Sequence, residues 1–103
     1  MAEPMRIRAA VKEGVTEVRM LVAHPMESGL RKDASGAPIP AHHITELTAK
    51  HQDKVVLSAR MSGGISSNPY LSFKFKGGAK GDTVTITWVD NKGETRTDQA
   101  SIG

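Results

Sequence analysis

The chain has 103 residues, 38 % of them hydrophobic and 24 % charged, and this length and composition predict a single ordered domain over residues 1–103. Fourteen basic and eleven acidic side chains give a formal net charge of +3, and because the two signs are interspersed we expect no nucleic-acid partner. The absence of cysteine excludes disulfides, thiolate metal sites and cysteine nucleophiles.

The first residues lack the apolar region of a signal peptide, and no later segment is apolar over a length that would span a membrane. Taken alone, the sequence therefore predicts a cytoplasmic protein without a membrane partner.

Two segments near the N-terminus alternate apolar and polar side chains with period two, which is typical of half-buried strands. The first covers residues 5–11 and the second residues 16–23. The turn residues between them predict a hairpin. The side chains expected to face the core are Met5, Ile7, Ala9, Val11, Val18, Met20 and Val22.

Residues 24–43 form a connection without clear periodicity, much longer than the usual connection of about 4–6 residues. Its three prolines remove backbone donors and disfavour helix. The turn-forming sequence Asp-Ala-Ser-Gly at 33–36 predicts a short hairpin within residues 30–39. Leu30 and Ile39 then need apolar cover, either from another chain or from the chain's own fold.

Five further strands are predicted after this connection. They cover residues 44–51, 55–61, 70–76, 83–90 and 94–102. The strand over 44–51 is the least regular, since Ile44 and Leu47 also fit one helical turn, whereas alternation would place these two side chains on opposite faces. Residues 62–69 are predicted to be a flexible loop. The side chains expected to face inward on the clearest of these strands are Leu71, Phe73, Phe75, Val84, Ile86 and Trp88.

About seven short strands separated by turn signals predict an all-β fold, an immunoglobulin-like antiparallel β-sandwich. The polar last strand is expected at a sheet edge, where polarity prevents pairing with other chains. The disulfide and packing tryptophan of true immunoglobulin domains are missing, so the prediction concerns the architecture.

The histidines suggest a metal site, in particular a copper site that includes Met26. They are His24, His42, His43 and His51. The spacing opposes this interpretation, because the adjacent His42 and His43 would point to opposite faces of a strand. We therefore predict no metal and no other cofactor, and we keep a periplasmic copper-type β-sandwich as the alternative function.

No arrangement of catalytic residues is recognisable. The serines at 62–67 lack a nucleophile elbow, and the glycine pairs are not followed by the residues of a phosphate-binding loop. Glu27 and Asp33 lie next to Arg31 and Lys32, where ion pairing explains them. The chain is therefore predicted to be a binding module and not an enzyme.

Three segments, in this order and at this spacing, resemble the SoxZ family of small cysteine-free subunits of the SoxYZ sulfur-carrier complex. They read His-Pro-Met-Glu-Ser-Gly-Leu-Arg-Lys-Asp at 24–33, Asn-Pro-Tyr-Leu-Ser-Phe at 68–73 and Trp-Val-Asp-Asn-Lys-Gly-Glu-Thr-Arg-Thr-Asp at 88–98. The resemblance extends from Met5 to about Ile102 and so covers nearly the whole chain.

The resemblance implies an immunoglobulin-like subunit that binds SoxY, whose C-terminal cysteine carries covalent sulfur intermediates during thiosulfate oxidation. The pair would present this carrier to the other periplasmic Sox enzymes. A periplasmic location, through export together with a signal-bearing SoxY, then replaces the cytoplasmic expectation. The isolated chain is expected to expose an apolar patch and to form a homo-oligomer.

The partner surface is expected on the connection at 24–43 and on a second patch around residues 65–70, because both combine apolar side chains with charged or aromatic ones. The candidate partner-binding residues are Met26, Glu27, Leu30, Arg31, Asp33, Ile39, Ile65 and Tyr70. The alternative is that the apolar residues of the connection cover the chain's own sandwich.

Overall fold

A computed structural model describes residues 3–61 and 65–103, so that Ser62, Gly63 and Gly64 of the predicted flexible loop lie outside the described residues. Within these residues there are two antiparallel sheets, one with the strand order β1-β2-β5 and one with the order β4-β3-β6-β7. The predicted all-β sandwich is confirmed. The strands are β1 Arg6–Lys12, β2 Val15–Leu21, β3 Ile44–His51, β4 Lys54–Arg60, β5 Tyr70–Lys76, β6 Thr83–Asp90 and β7 Thr95–Ser101. The described part contains no helix long and apolar enough to cross a membrane.

The core lies between the sheets and is built from the predicted inward faces. Trp88 of β6 is the largest fully buried side chain, and Met20 of β2 is also buried. Phe73 and Phe75 of β5 pack against this core and are only partly covered. The inward orientation predicted for these strands is therefore confirmed.

Strand β3 departs from the predicted alternation. Ile44 and Leu47 were expected on opposite faces, and this is wrong, because both are buried in the core. The pairing of β3 with β6 shifts register between Ile44 and Glu46, and such an irregularity lets side chains three positions apart share a face.

The polar strand β7 lies at the edge of the four-stranded sheet, as predicted. Just beyond it, an isolated parallel bridge between Ala9 and Ile102 connects the chain end to β1 of the other sheet. The amide of Gly103 donates to the carbonyl of Ala9 over 2.8 Å, and the amide of Val11 donates to the carbonyl of Gly103 over 3.2 Å. These bonds hold the two sheets together along one side.

The connection between β2 and β3 contains the predicted hairpin, which we call the arm and define as residues 27–42. Backbone bonds join Glu27 and His42 at its base, and Arg31 and Ile39 nearer its tip. The molecule measures 53 × 21 × 20 Å. A strand of seven or eight residues spans only about 25 Å, so the length of the molecule fits an arm that extends beyond the sandwich.

Candidate functional site

Three polar side chains meet at the base of the arm. The Nε2 atom of His24 lies 3.1 Å from Oδ2 of Asp90, and Nε2 of His42 lies 2.8 Å from the same oxygen. The register of β3 and β6 explains the position of His42, because it pairs Ile44 with Asp90 and so brings the residues before β3 next to this carboxylate, whereas His24 follows β2 of the other sheet. His24 and Asp90 are buried and His42 is partly exposed.

The second carboxylate oxygen of Asp90 accepts the backbone N–H groups of Lys92 and Glu94, over 3.0 and 2.9 Å. Burial by itself raises the pKa of Asp90. The hydrogen bonds from His24, His42 and the two backbone N–H groups more than offset this, and the pKa of Asp90 lies below its usual value. Asp90 therefore holds both the turn after β6 and the base of the arm as a carboxylate.

The contacts of His24 determine where its proton lies. The backbone N–H of Met26 donates to Nδ1 over 3.1 Å, so Nδ1 is unprotonated and accepts this bond. The ring proton is therefore on Nε2, which donates it to Asp90. The ring is also nearly perpendicular to that of Trp88, with the ring centroids 5.0 Å apart. Both nitrogens of His24 thus have hydrogen-bond partners within the fold, and its ring packs against Trp88.

His24, His42 and Asp90 offer metal-binding atom types within 4.8 Å of one another. A metal-bound histidine normally donates its second ring N–H to an acceptor, yet Nδ1 of His24 faces the N–H of Met26. A metal at Nε2 would displace the proton and leave two unprotonated nitrogens. The geometry therefore favours a hydrogen-bonded brace for the arm over a metal centre. His43 and His51 lie outside this cluster, near the carbonyl of Ile44 and the carboxylate of Asp82.

Met26 does not offer partner surface in this structure, because it is only 5 % exposed and belongs to the core. Its sulfur accepts the N–H of Ile44 over 3.4 Å. Of the two interpretations of the apolar residues in this connection, cover for the chain's own sandwich is correct for Met26.

Leu30 has the opposite environment, with 89 % of its surface exposed on the arm. Beside it, Arg31 donates from Nε to Glu27 over 3.0 Å, and this hydrogen bond lowers the pKa of Glu27 and raises that of Arg31. Ile39, on the opposite strand of the arm, is half-buried. The arm thus presents an apolar side chain beside an ion pair.

Asp33 shapes the turn of the arm. Its Oδ1 accepts the hydroxyl of Ser35 over 2.6 Å and the backbone N–H groups of Ser35 and Ala37 over 2.9 and 3.0 Å, and these bonds lower the pKa of Asp33. On the sandwich, Ile65 is half-buried against the core, and Tyr70 is 61 % exposed at the start of β5. Ile65 and Tyr70, the other two candidate partner-binding residues, therefore lie outside the arm.

Comparison with protein families finds one that matches nearly the whole chain. The family model described as "Sulphur oxidation protein SoxZ" matches residues 5–101. No curated protein matches at a significant level.

Solved structures with a similar fold include superoxide reductases of the neelaredoxin type. One from Ignicoccus hospitalis is 17 % identical, with a TM-score of 0.62 over 98 % of this chain and 80 % of that chain. One from Archaeoglobus fulgidus in the reduced form is 20 % identical, with a TM-score of 0.58 over 95 % of this chain and 85 % of that chain. At this identity the likeness extends to the fold alone.

Proposed function

Because the chain belongs to the SoxZ family of sulfur oxidation proteins, we propose that it is the non-enzymatic subunit of a SoxYZ-type carrier complex and binds SoxY. SoxY carries the sulfur intermediate on its C-terminal cysteine, and this chain supplies a rigid body that helps present the carrier to other Sox enzymes. The pair acts in the periplasm after joint export. The chain contributes no cysteine of its own, which leaves the covalent chemistry to the partner.

The exposure of Leu30 is the observation that carries the partner-binding part of the proposal. Covering a leucine side chain contributes about 1.5–3 kcal/mol, and on the arm this contribution is almost entirely unused. Glu27 and Arg31 surround it with charge, which is the pattern of an interface with an apolar centre and a polar rim. In the isolated chain the same side chain favours self-association.

The arm is also built before any partner arrives. Its backbone bonds between Arg31 and Ile39 and between Glu27 and His42 fix its conformation, and the cluster around Asp90 braces its base. A segment that is already ordered loses little conformational entropy on binding, which favours affinity.

The described residues support a binding role more than a catalytic one. The histidines at the base of the arm hydrogen-bond to a carboxylate and a backbone amide, and in residues 3–61 and 65–103 no hydroxyl group hydrogen-bonds to His24 or His42. A serine-type nucleophile would need such a contact with its base. The observed contacts fit a structural brace.

The test measures SoxY affinity for two variants with purified SoxY from the same genome. Leu30→Asp places a charge at the proposed apolar centre and is expected to weaken SoxY binding by about tenfold or more. Val55→Asp is the matched control, since Val55 is 50 % exposed on β4, away from the arm, and its replacement should change affinity by less than about twofold. No SoxY binding by the parent chain would refute the function, whereas equal affinities of parent and Leu30→Asp would refute the arm as the interface.

Metal binding is the second candidate function, favoured by the convergence of His24, His42 and Asp90. The hydrogen bond from Met26 to Nδ1 of His24 weighs against it. Isothermal titration with copper or zinc, repeated on His24→Ala, decides between a metal site and a hydrogen-bonded brace. Tight binding of one metal ion per chain that the substitution abolishes would establish a metal site. No heat of binding from the parent chain would eliminate the metal-binding function.

A further inference from the structure

The outer face of the three-stranded sheet carries a concentration of positive charge. Its exposed side chains come from alternate positions of β1, β2 and β5. Six of them are cationic, and Glu17 is the single carboxylate among them, which gives this face a formal net charge of +5. We call it the cationic face, and its cations are Arg6, Arg8, Lys12, Arg19, Lys74 and Lys76.

The charge of the chain is therefore strongly segregated. The whole sequence has a formal net charge of +3, so the remainder of the chain sums to −2. The interspersed signs along the sequence conceal this asymmetry, because the period of a strand sends alternate residues to opposite faces. Only the pairing of β2 with both β1 and β5 brings the six cations together.

Edge protection does not account for this arrangement. Cations on the edge strands β1 and β5 discourage pairing with other chains, but Arg19 lies on the central strand β2. Its direct cross-strand neighbour is Arg8, and like charges opposite each other destabilise a sheet. Glu17 pairs with Arg19 over 3.0 Å and leaves Arg8 without a comparable partner in the described part of the chain.

Apolar surface lies among these charges. Leu21 of β2 lies between Tyr70 of β5 and Arg6 of β1, its two direct cross-strand neighbours. Leu21 is 40 % exposed and Tyr70 is 61 % exposed. An open groove of about 480 Å³ lies at this end of the face, lined by Arg6, Arg8 and Arg19 together with the two apolar side chains. Arginine and tyrosine beside apolar surface are the side chains enriched at protein interfaces.

We propose that the cationic face docks an acidic surface of a protein partner. The cations extend over the full length of seven-residue strands, about 20 Å, so a small anion would engage only one end of the face. A symmetric pair of copies through this face would oppose two surfaces of +5, which excludes a second copy in that arrangement. Electrostatic complementarity of this kind accelerates association and selects the partner. The proposal stands independently of SoxY binding through the arm.

The test uses a fluorescein-labelled ten-residue polyglutamate peptide and fluorescence anisotropy at an ionic strength of about 0.05 M, where screening is weak. The parent chain is expected to bind the peptide, and added salt should weaken the binding. The double variant Arg8→Glu with Arg19→Glu should weaken binding by about tenfold or more. Arg8→Gln with Arg19→Gln, which adds no negative charge, should give an intermediate loss.

The matched control reverses Lys50 and Arg60, exposed residues of β3 and β4, to glutamate. It changes the net charge by the same amount, and binding should fall by less than about twofold. Equal losses in the two double variants, or no peptide binding by the parent, would overturn the proposal. Tighter binding of a thymidine oligonucleotide or of phosphatidylglycerol vesicles than of the peptide would overturn the assignment to a protein. Because SoxY is absent from this assay, its failure leaves the SoxY-binding proposal untouched.

Discussion

Replacement of Asp90 by asparagine tests the brace at the base of the arm. The carboxylate accepts two bonds from His24 and His42 at one oxygen and two backbone bonds at the other. An asparagine has only one acceptor oxygen, so its NH₂ group must face one of these two pairs of donors. Two hydrogen bonds to a charged group, each worth about 1.5–3 kcal/mol, are lost, which predicts a destabilisation of about 3–6 kcal/mol.

The assay is urea unfolding followed by tryptophan fluorescence, since Trp88 lies against His24. Asp33→Asn is the matched control. Asp33 uses only Oδ1 for its three bonds, so the asparagine oxygen can keep all of them and the loss should be clearly smaller. A destabilisation of Asp90→Asn below about 1 kcal/mol, or equal to that of the control, would refute the brace.

The lowered pKa of Asp90 adds a pH dependence to this prediction. A carboxylate whose pKa is lower in the folded state contributes stability above its unfolded value of about 3.9, and this contribution is lost as the pH falls through the folded value. The difference in unfolding free energy between parent and Asp90→Asn should therefore be largest near neutral pH and shrink below about pH 4. A difference that stays constant down to about pH 2 would contradict the assigned ionisation.

Two further substitutions test the packing. Trp88→Ala removes the single tryptophan, so its urea unfolding is followed by circular dichroism. It should cost about 3–5 kcal/mol, because the side chain is fully buried, and a loss below about 1 kcal/mol would contradict its inward orientation. Gly78→Ala should lower the melting temperature more than Gly93→Ala. Both glycines have positive φ, but a Cβ at Gly78 would collide with the hydroxyl of Thr16, whereas the space at Gly93 is open. Equal changes in the melting temperature of the two variants would contradict the predicted collision at Gly78.

The alternation of side chains predicted the strands well because burial on one face of a sheet imposes a period of two. β5 and β6 begin and end at the predicted residues, 70–76 and 83–90. The prediction failed at Ile44, where a register shift changes the face that the side chain occupies. Such an irregularity depends on the neighbouring strand and leaves no mark in the local pattern.

The hairpin of the arm was predictable because its cause is local. Asp33 bonds to groups two and four residues along the chain, and this turn chemistry is visible in the sequence. The brace at its base was missed. Asp90 lies 66 residues from His24 and 48 from His42, and no local pattern in the sequence connects it with either. Knowledge that β3 pairs with β6 would have placed His42 beside Asp90, and the packing of the two sheets was needed to place His24 there.

The different environments of Met26, which is buried, and Leu30, which is exposed, also depend on the fold and could not be predicted from the local sequence. Both are apolar residues in an aperiodic segment, and composition alone could not separate core filling from exposed surface. Met26 precedes the first backbone pair of the arm and turns into the core, whereas Leu30 lies beyond that pair. The cationic face likewise depends on which strands are neighbours, and this information is absent from a linear charge count.

The chain belongs to the SoxZ family, and we propose that its partner is SoxY. Co-expression with SoxY from the same genome, followed by size exclusion and intact mass measurement, tests it most directly. We expect a stable one-to-one complex in which any sulfur adduct is found on the SoxY chain alone. Separate elution of the two chains at micromolar concentration would contradict it.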